Sequence, residues 1–362
     1  RMSIIKEELL EIKEKYGEER RTEIIEDFTS LSIEDMIAEE EMVLTITHNG
    51  YIKRTSLSTY RSQRRGGRGV QGASSREEDF VEHLFVANTH SYILFFTDKG
   101  KCYWVKVYDI PEGGRAAKGR AIVNLIGCEP DEKVSAFISV KEFNEDHYVV
   151  MATEKGMVKK TKLSAYSNPR KKGIYAVEIR DGDRLIEARV STGDNDILLG
   201  TRNGKSIRFS EEQIRASGRK TMGVKGITLS SEDDRLVGML LIKREGTVLV
   251  ATEKGFGKRT EISQYRAQKR GGKGVLTMKT TDKVGKMVTI KEVVDKDDLM
   301  IITNQGVLIR LPVAQIRSIG RATQGVKLIK LGEGTLVSSI TRIMSEEEED
   351  ENNNTESTDP KE

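Results

Sequence analysis

Cysteine, histidine and tryptophan are almost missing from this 362-residue chain, which has two, four and one of them. Cys102 and Cys128 are too few for a disulfide framework and lack metal-ligand spacing, so each reads as a small packing residue in a reducing compartment. His48, His83, His90 and His147 fall in separate strands and loops with no Cys or Asp partner at ligand spacing, which removes a zinc or nucleophilic centre from consideration. No apolar run is long enough to cross a bilayer, no signal-peptide pattern is present, and there is no nucleotide P-loop. The expectation is a soluble cytoplasmic chain without metal, cofactor or catalytic group of its own, with Trp104 as a packing residue.

What the chain does have is a repeat. Turn glycines at Gly50, Gly100, Gly156, Gly204, Gly255 and Gly306 are separated by 50, 56, 48, 51 and 51 residues. A period near 50 means that the core is assembled from small units. Short β-branched runs such as Thr247–Thr252 and Leu299–Thr303 lead into the turns, and a second strand such as Tyr51–Thr55 follows, so each unit starts with a hairpin. Ten residues past each turn stands Tyr60, Ile110, Tyr166, Ile214, Tyr265 or Ile316, read as a plug that packs the following loop onto its own hairpin. Nineteen residues past it stands Gly69, Gly119, Gly223, Gly274 or Gly325, with Gly173 seventeen past it in the third unit, where a Cβ would be excluded. A further apolar stretch closes each unit, giving about four strands, the content of a propeller blade. Six units make a ring, and the last stretch, Leu336 to Ile343, is expected to return to the first unit and close it.

Charge is segregated along the chain. Residues 1–41 hold 6 basic and 14 acidic side chains, residues 345–362 hold 1 and 9, and residues 42–344 hold 53 and 34, a body of +19. The first segment reads as a helical connector stopped by Gly17, continuing from something that precedes it, and the last as a disordered acidic tail. Within the body the positive charge is in phase with the repeat. Fifteen residues past the turns stand Arg65, Arg115, Lys171, Arg219, Arg270 and Arg321. Such a column arises by chance roughly once in two thousand searches, so an extended polyanion is expected to touch each repeat. A second basic column, four past the turn, holds Arg54, Lys160, Arg208, Arg259 and Arg310, with Trp104 interrupting it, and these residues too are expected to contact the polyanion.

The loop of the first unit is the most pointed sequence in the chain. Gln63-Arg64-Arg65-Gly66-Gly67-Arg68-Gly69 sets three guanidinium forks among three glycines, so that backbone can approach a partner while the forks take phosphate oxygens in pairs. The fifth unit repeats it in phase as Gln268-Lys269-Arg270-Gly271-Gly272-Lys273-Gly274. The first heptapeptide resembles the gyrase A box at all seven positions, and residues 7–24 are similar to the segment that leaves the breakage-and-reunion domain in that family. The resemblance, to the C-terminal domain family of DNA gyrase A subunits, covers nearly the whole chain.

It implies an all-β, six-bladed β-pinwheel over residues 42–344 whose blades exchange strands, with a helical connector (1–41) and an acidic tail (345–362). The resemblance also implies duplex DNA wrapped around a basic rim without sequence specificity, so that a parent gyrase introduces negative supercoils with ATP. The ATP and Mg of the parent enzyme, its catalytic tyrosine, the N-terminal region and the gyrase B subunit lie elsewhere. Its implied site in the cytoplasm is the nucleoid. A topoisomerase IV-type domain is the near alternative, disfavoured by the intact box. A propeller serving as a protein-interaction scaffold is the alternative of another class, and it would present loops of mixed charge.

Overall fold

The computed structural model describes residues 2–18, 34–47, 49–56, 81–114, 117–129, 131–243, 246–305 and 308–343. The chain divides into two compact units, Arg1–Ala38 and Glu39–Glu362. The first contains the helix Met2–Tyr16, all of whose described side chains are exposed, and Gly17 donates its amide to the Lys13 carbonyl at the helix end. No described helix is long and apolar enough to cross a membrane.

The second unit is built from six antiparallel hairpins: Glu41–Thr47 with Tyr51–Ser56, Tyr92–Thr97 with Lys101–Lys106, Tyr148–Thr153 with Met157–Lys162, Asp196–Thr201 with Lys205–Ser210, Thr247–Thr252 with Phe256–Glu261, and Asp298–Thr303 with Leu308–Pro312. The hairpins turn on glycine because the turn needs a positive φ, +75° to +83° at Gly50, Gly100, Gly156, Gly204 and Gly255. Each first strand also pairs with the apolar stretch that closes its unit, from Val81–Asn88 in the first to Val337–Ile343 in the sixth. The sixth stretch therefore stays in its own blade and does not pair with the first unit, contrary to expectation. It does lie against Val81–Asn88 of the first blade, and that contact completes the ring around a channel of about 750 Å³.

The fourth strand of a blade belongs to its successor. Arg120–Ala121, Ile174–Tyr175, Val224–Lys225, Val275–Leu276 and Val326–Lys327 each add to the second hairpin strand of the preceding blade. Five four-stranded sheets result, and the sixth is three-stranded among the described residues. Turn glycines anchor the exchange: the carbonyls of Gly50, Gly100, Gly156, Gly204 and Gly255 accept the amides of Ile122, Ala176, Gly226, Thr277 and Leu328 of the next unit.

The core consequently lies between blades. Tyr166 is buried against Phe96 of the preceding blade, rings 5.9 Å apart, as well as against its own hairpin, and Ile110 packs with Leu44 and Ile52 of the first blade. The plugs thus join two blades, a wider role than holding a loop to its own hairpin. Their carbonyls are capped from the preceding blade: Arg54 Nε donates to Ile110 at 2.8 Å, Arg208 Nη1 to Tyr265 at 3.3 Å, and Arg259 Nε to Ile316 at 2.7 Å. Trp104, where the basic column is interrupted, does the same with its indole N–H, 2.8 Å from the Tyr166 carbonyl.

Two outcomes follow for stability. Arg208→Met removes the joint's donor and strands half-buried Asp196, 2.7 Å from Arg208 Nε, so unfolding free energy should fall by about 1–3 kcal/mol in urea titration. Gly223→Ala places a Cβ 2.4 Å from the Val158 carbonyl at φ +80°, whereas Gly127→Ala, at φ +61°, meets nothing within 4 Å. The first should cost about 2–4 kcal/mol and the second about 1. Equal losses would mean that close approach, as opposed to conformation, contributes nothing.

Candidate nucleic-acid interface

In units two to six the chain between plug and donated strand must run across the outer edge of the preceding blade, and the first basic column sits in that run. Loop 4 carries Arg219, loop 5 Arg270 and loop 6 Arg321, all half-buried, while Lys171 of loop 3 is exposed. Two of the arginines, Arg270 and Arg321, are oriented by backbone. Arg270 Nε donates to the Gln213 carbonyl at 2.9 Å and its Nη1 to the Lys225 carbonyl at 3.1 Å. Arg321 Nη1 donates to the Leu276 carbonyl at 3.0 Å, with the guanidinium 6.0 Å from the Tyr265 ring. Lys225 and Leu276 occupy the same position in successive donated strands, so the two arginines reach equivalent carbonyls. A guanidinium has five N–H donors, and these bonds use one or two, leaving the rest for an anion.

Glycine lets these loops lie flat. The ideal Cβ of Gly119, Gly223, Gly274 or Gly325 would stand 2.4–2.6 Å from a carbonyl of the preceding hairpin, which accounts for the glycine nineteen residues past the turn. Lys171, Lys269 and Lys273 are exposed and form no hydrogen bond or ion pair among the described residues. The box itself, Gln63, Arg64, Arg65, Gly66, Gly67, Arg68 and Gly69, lies outside the described residues, as does Arg115.

The second column has a different setting. Besides capping carbonyls, Arg208 pairs with Asp196 at 2.6 Å, Arg259 with Asp295, and Arg54 with Glu112 at 3.5 Å. Lys160 lies 3.4 Å from buried Glu211 of the next blade. Arg310, 63 % exposed and paired with Asp298 at 2.5 Å, is the open member. The column expected to meet phosphate is thus largely enclosed in the joints between blades.

Exposed cations that the spacing argument passed over stand beside the first column: Lys118, Arg120, Arg170, Lys220, Lys225 and Lys327. Apart from Lys225 and Lys327, which share a position in their donated strands, their offsets vary from unit to unit, so no single column reveals them. A second missed signal is an alternation. Three past the turn, odd units carry Lys53, Lys159 and Lys258, and even units Tyr103, Ile207 and Ile309. Five past it the odd units carry Thr55, Thr161 and Thr260, and the even units Val105, Phe209 and Leu311. The plugs alternate too, tyrosine in odd units and isoleucine in even ones. The repeat is therefore one of about 100 residues as well as 50, visible only when units are compared in pairs.

The three lysines are buried, at 3 %, 1 % and 0 % exposure. Burial lowers all three, and a neighbouring arginine adds to it in two: Lys159 comes down to about 7 from burial first and Arg219 second, and Lys258 to about 8 from burial and then Arg321.

The six units, residues 41–88, 91–141, 147–192, 195–243, 246–293 and 297–343, match the family model of the DNA gyrase C-terminal domain, beta-propeller. The chain is 47% identical over 350 residues to the DNA gyrase A subunit of Staphylococcus epidermidis (strain ATCC 12228 / FDA PCI 1200), covering 96% of this chain and 39% of that protein. It is 46% identical over 361 residues to the DNA gyrase A subunit of Staphylococcus aureus (strain COL), covering 99% and 41%. The chain thus spans about two-fifths of these relatives. Among solved structures, the C-terminal domain of DNA topoisomerase IV superposes with a TM-score of 0.76 at 26% identity, over 89% of this chain and 100% of that one. A DNA gyrase A C-terminal domain superposes at 0.67 and 24% identity, over 84% and 100%, a likeness of fold. With every unit matched and close to half of all residues shared with gyrase A proteins, the chain belongs to the DNA gyrase C-terminal β-propeller family.

Proposed function

We propose that this chain binds duplex DNA around its rim without reading sequence, and bends and wraps it so that a parent gyrase can introduce negative supercoils with ATP. The observation that carries this reading is the basic residue held at one position in each of six loops, on a body of +19. Phosphates recur along a duplex whatever its sequence, and a ring of loops recurs along a curved path. The two periodicities match without any base contact. The working set is the first column, Arg65, Arg115, Lys171, Arg219, Arg270 and Arg321, with Lys269, Lys273 and the box residues. Arg54, Lys160, Arg208 and Arg259 we assign to the joints, where they fix the spacing of the loops. In the parent enzyme the partners are the gyrase B subunit and the N-terminal region of the same polypeptide, and the location is the cytoplasm, at the nucleoid.

A topoisomerase IV-type role, selecting DNA geometry without forcing a wrap, is favoured by the structural superposition and disfavoured by the intact box. Relaxing nicked plasmid with the protein bound, ligating it and reading the sign of trapped supercoils separates the two. The gyrase-type reading expects trapped writhe of one sign.

If each loop neutralises about one phosphate, log K should fall with log salt with a slope near −5, about a thousandfold between 50 and 200 mM, and alike for unrelated duplexes. A flat salt response, or strong preference for one sequence, would sink the rim model. Replacing Gln63–Gly69 with alanines leaves five basic loops, so affinity should stay within about tenfold of the parent, some 1.4 kcal/mol. Trapped writhe should nevertheless be lost, because that loop concentrates Arg64, Arg65 and Arg68. Parallel loss of both quantities would make the box an ordinary affinity patch.

A further inference from the structure

Three buried lysines reach forward into the basic loop of the next blade, and they do so by donating to backbone carbonyls. Lys53 Nζ donates to the Gly114 carbonyl at 3.1 Å. Lys159 Nζ donates to the carbonyl of Arg219 and, at 2.6 Å, to that of Ala176. Lys258 Nζ donates to the Arg321 carbonyl, to the Gly320 carbonyl at 2.7 Å and to Thr323 Oγ1 at 3.0 Å, which fills all three of its donors. The threonines two residues on extend the grip: Thr55 Oγ1 donates to the Gly113 carbonyl at 2.9 Å and Thr260 Oγ1 to Ile319 at 2.8 Å. Loop 5 is held without a lysine: Thr228 Oγ1 donates to the Gly271 carbonyl at 2.6 Å and the Arg270 amide to Gln213 Oε1 at 2.9 Å, beside the two guanidinium bonds of Arg270.

We propose that Lys53, Lys159 and Lys258 are positioning residues that set the basic loops of the second, fourth and sixth blades, dividing the rim into three pairs of blades. This rests on the reading that those loops meet DNA. Each ammonium seizes the carbonyl of the column residue or of its neighbour, so the direction of the adjacent basic side chain follows from the lysine's hold. In loops 4 and 6 of the free ring this brings an ammonium and a guanidinium together, and the guanidinium disfavours the ammonium's charge.

The charged groups around them fix the sign of a pH response. Lys159 faces Arg219, which disfavours its charge, and Glu178, which favours it by less, and Tyr166 and Cys102, both raised by burial, also feel Arg219. Lys258 faces Arg321, with Tyr265, also raised by burial, beneath it. Lowered in the free protein, these lysines lose protons as pH rises through about 7 and 8. A phosphate laid on the loop favours the charged form, so binding takes up protons and affinity falls as pH rises from 7 to 9.

The test uses the full chain and the double variant Lys159→Met, Lys258→Met, which keeps side-chain length and removes the donors. Amides of residues 217–223 and 319–325 should exchange about tenfold faster in the free variant, with those of 268–274 unchanged. Affinity for a mixed-sequence duplex should drop about tenfold at pH 7, and its decline between pH 7 and 9 should flatten. Proton uptake by the unaltered protein on binding, read by calorimetry in buffers of different ionisation enthalpy, tests the linkage without any variant. Unchanged exchange in loops 4 and 6 overturns the hold itself, whether or not DNA binds. Loosened loops with unchanged affinity and pH profile overturn its functional role. Failure of the unaltered protein to bind duplex DNA overturns the rim reading instead, and the exchange comparison still decides whether the lysines set the loops.

Discussion

Everything in the ring depends on the exchanged strand. A blade ends two hydrogen-bonded positions short until its neighbour supplies them, and the supplying segment docks on a carbonyl that only the turn glycine presents. Because the donor unit starts on one blade and donates to another, the intervening loop has no choice but to cross the outer edge. The path of the basic loops is thus a consequence of β-pairing. The same exchange puts the plugs between blades, which explains why Tyr166 and Ile110 are buried more completely than a plug over a single hairpin would be.

Charge in this ring divides by geometry. Four of the residues four past the turn, Arg54, Trp104, Arg208 and Arg259, meet the next blade's plug and supply a donor to its carbonyl. An indole can replace a guanidinium there because the requirement is a single N–H. The described residues fifteen past the turn, Lys171, Arg219, Arg270 and Arg321, lie on the crossing loops without an acidic ion-pair partner among the described residues, and their net charge is retained. Arg270 and Arg321 are oriented by carbonyls, which leaves their charge available. A basic residue at a joint and a basic residue on the rim look alike in a sequence and differ in whether an acidic partner closes on them.

That difference marks what was legible in the chain. The six units, the hairpins turning on glycine, the plug and the close-approach glycine could be read from spacing, because each is a local backbone requirement repeated six times. Donation of the strand could not. Val224-Lys225 is too short to announce itself, and its partner, Met157-Val158, lies in the preceding unit. Nor does spacing show that Arg259 faces Asp295 or that Lys160 faces Glu211, since the acids occupy no fixed column. The buried lysines were hidden by averaging: pooling six units as equivalents erases an alternation that appears once odd and even units are separated.

Bending a duplex through a half turn over a few tens of base pairs costs on the order of 10 kcal/mol, and the cost is felt at every point of the path. A flexible cation can neutralise a phosphate, yet it yields as the duplex tries to straighten. A cation whose backbone is held resists, and the ordering cost has been met before DNA arrives. In this fold the hold comes from ammonium groups on carbonyls in the second, fourth and sixth loops, and from hydroxyl, amide and guanidinium donors in the fifth, so loops that share a charge are anchored by different groups.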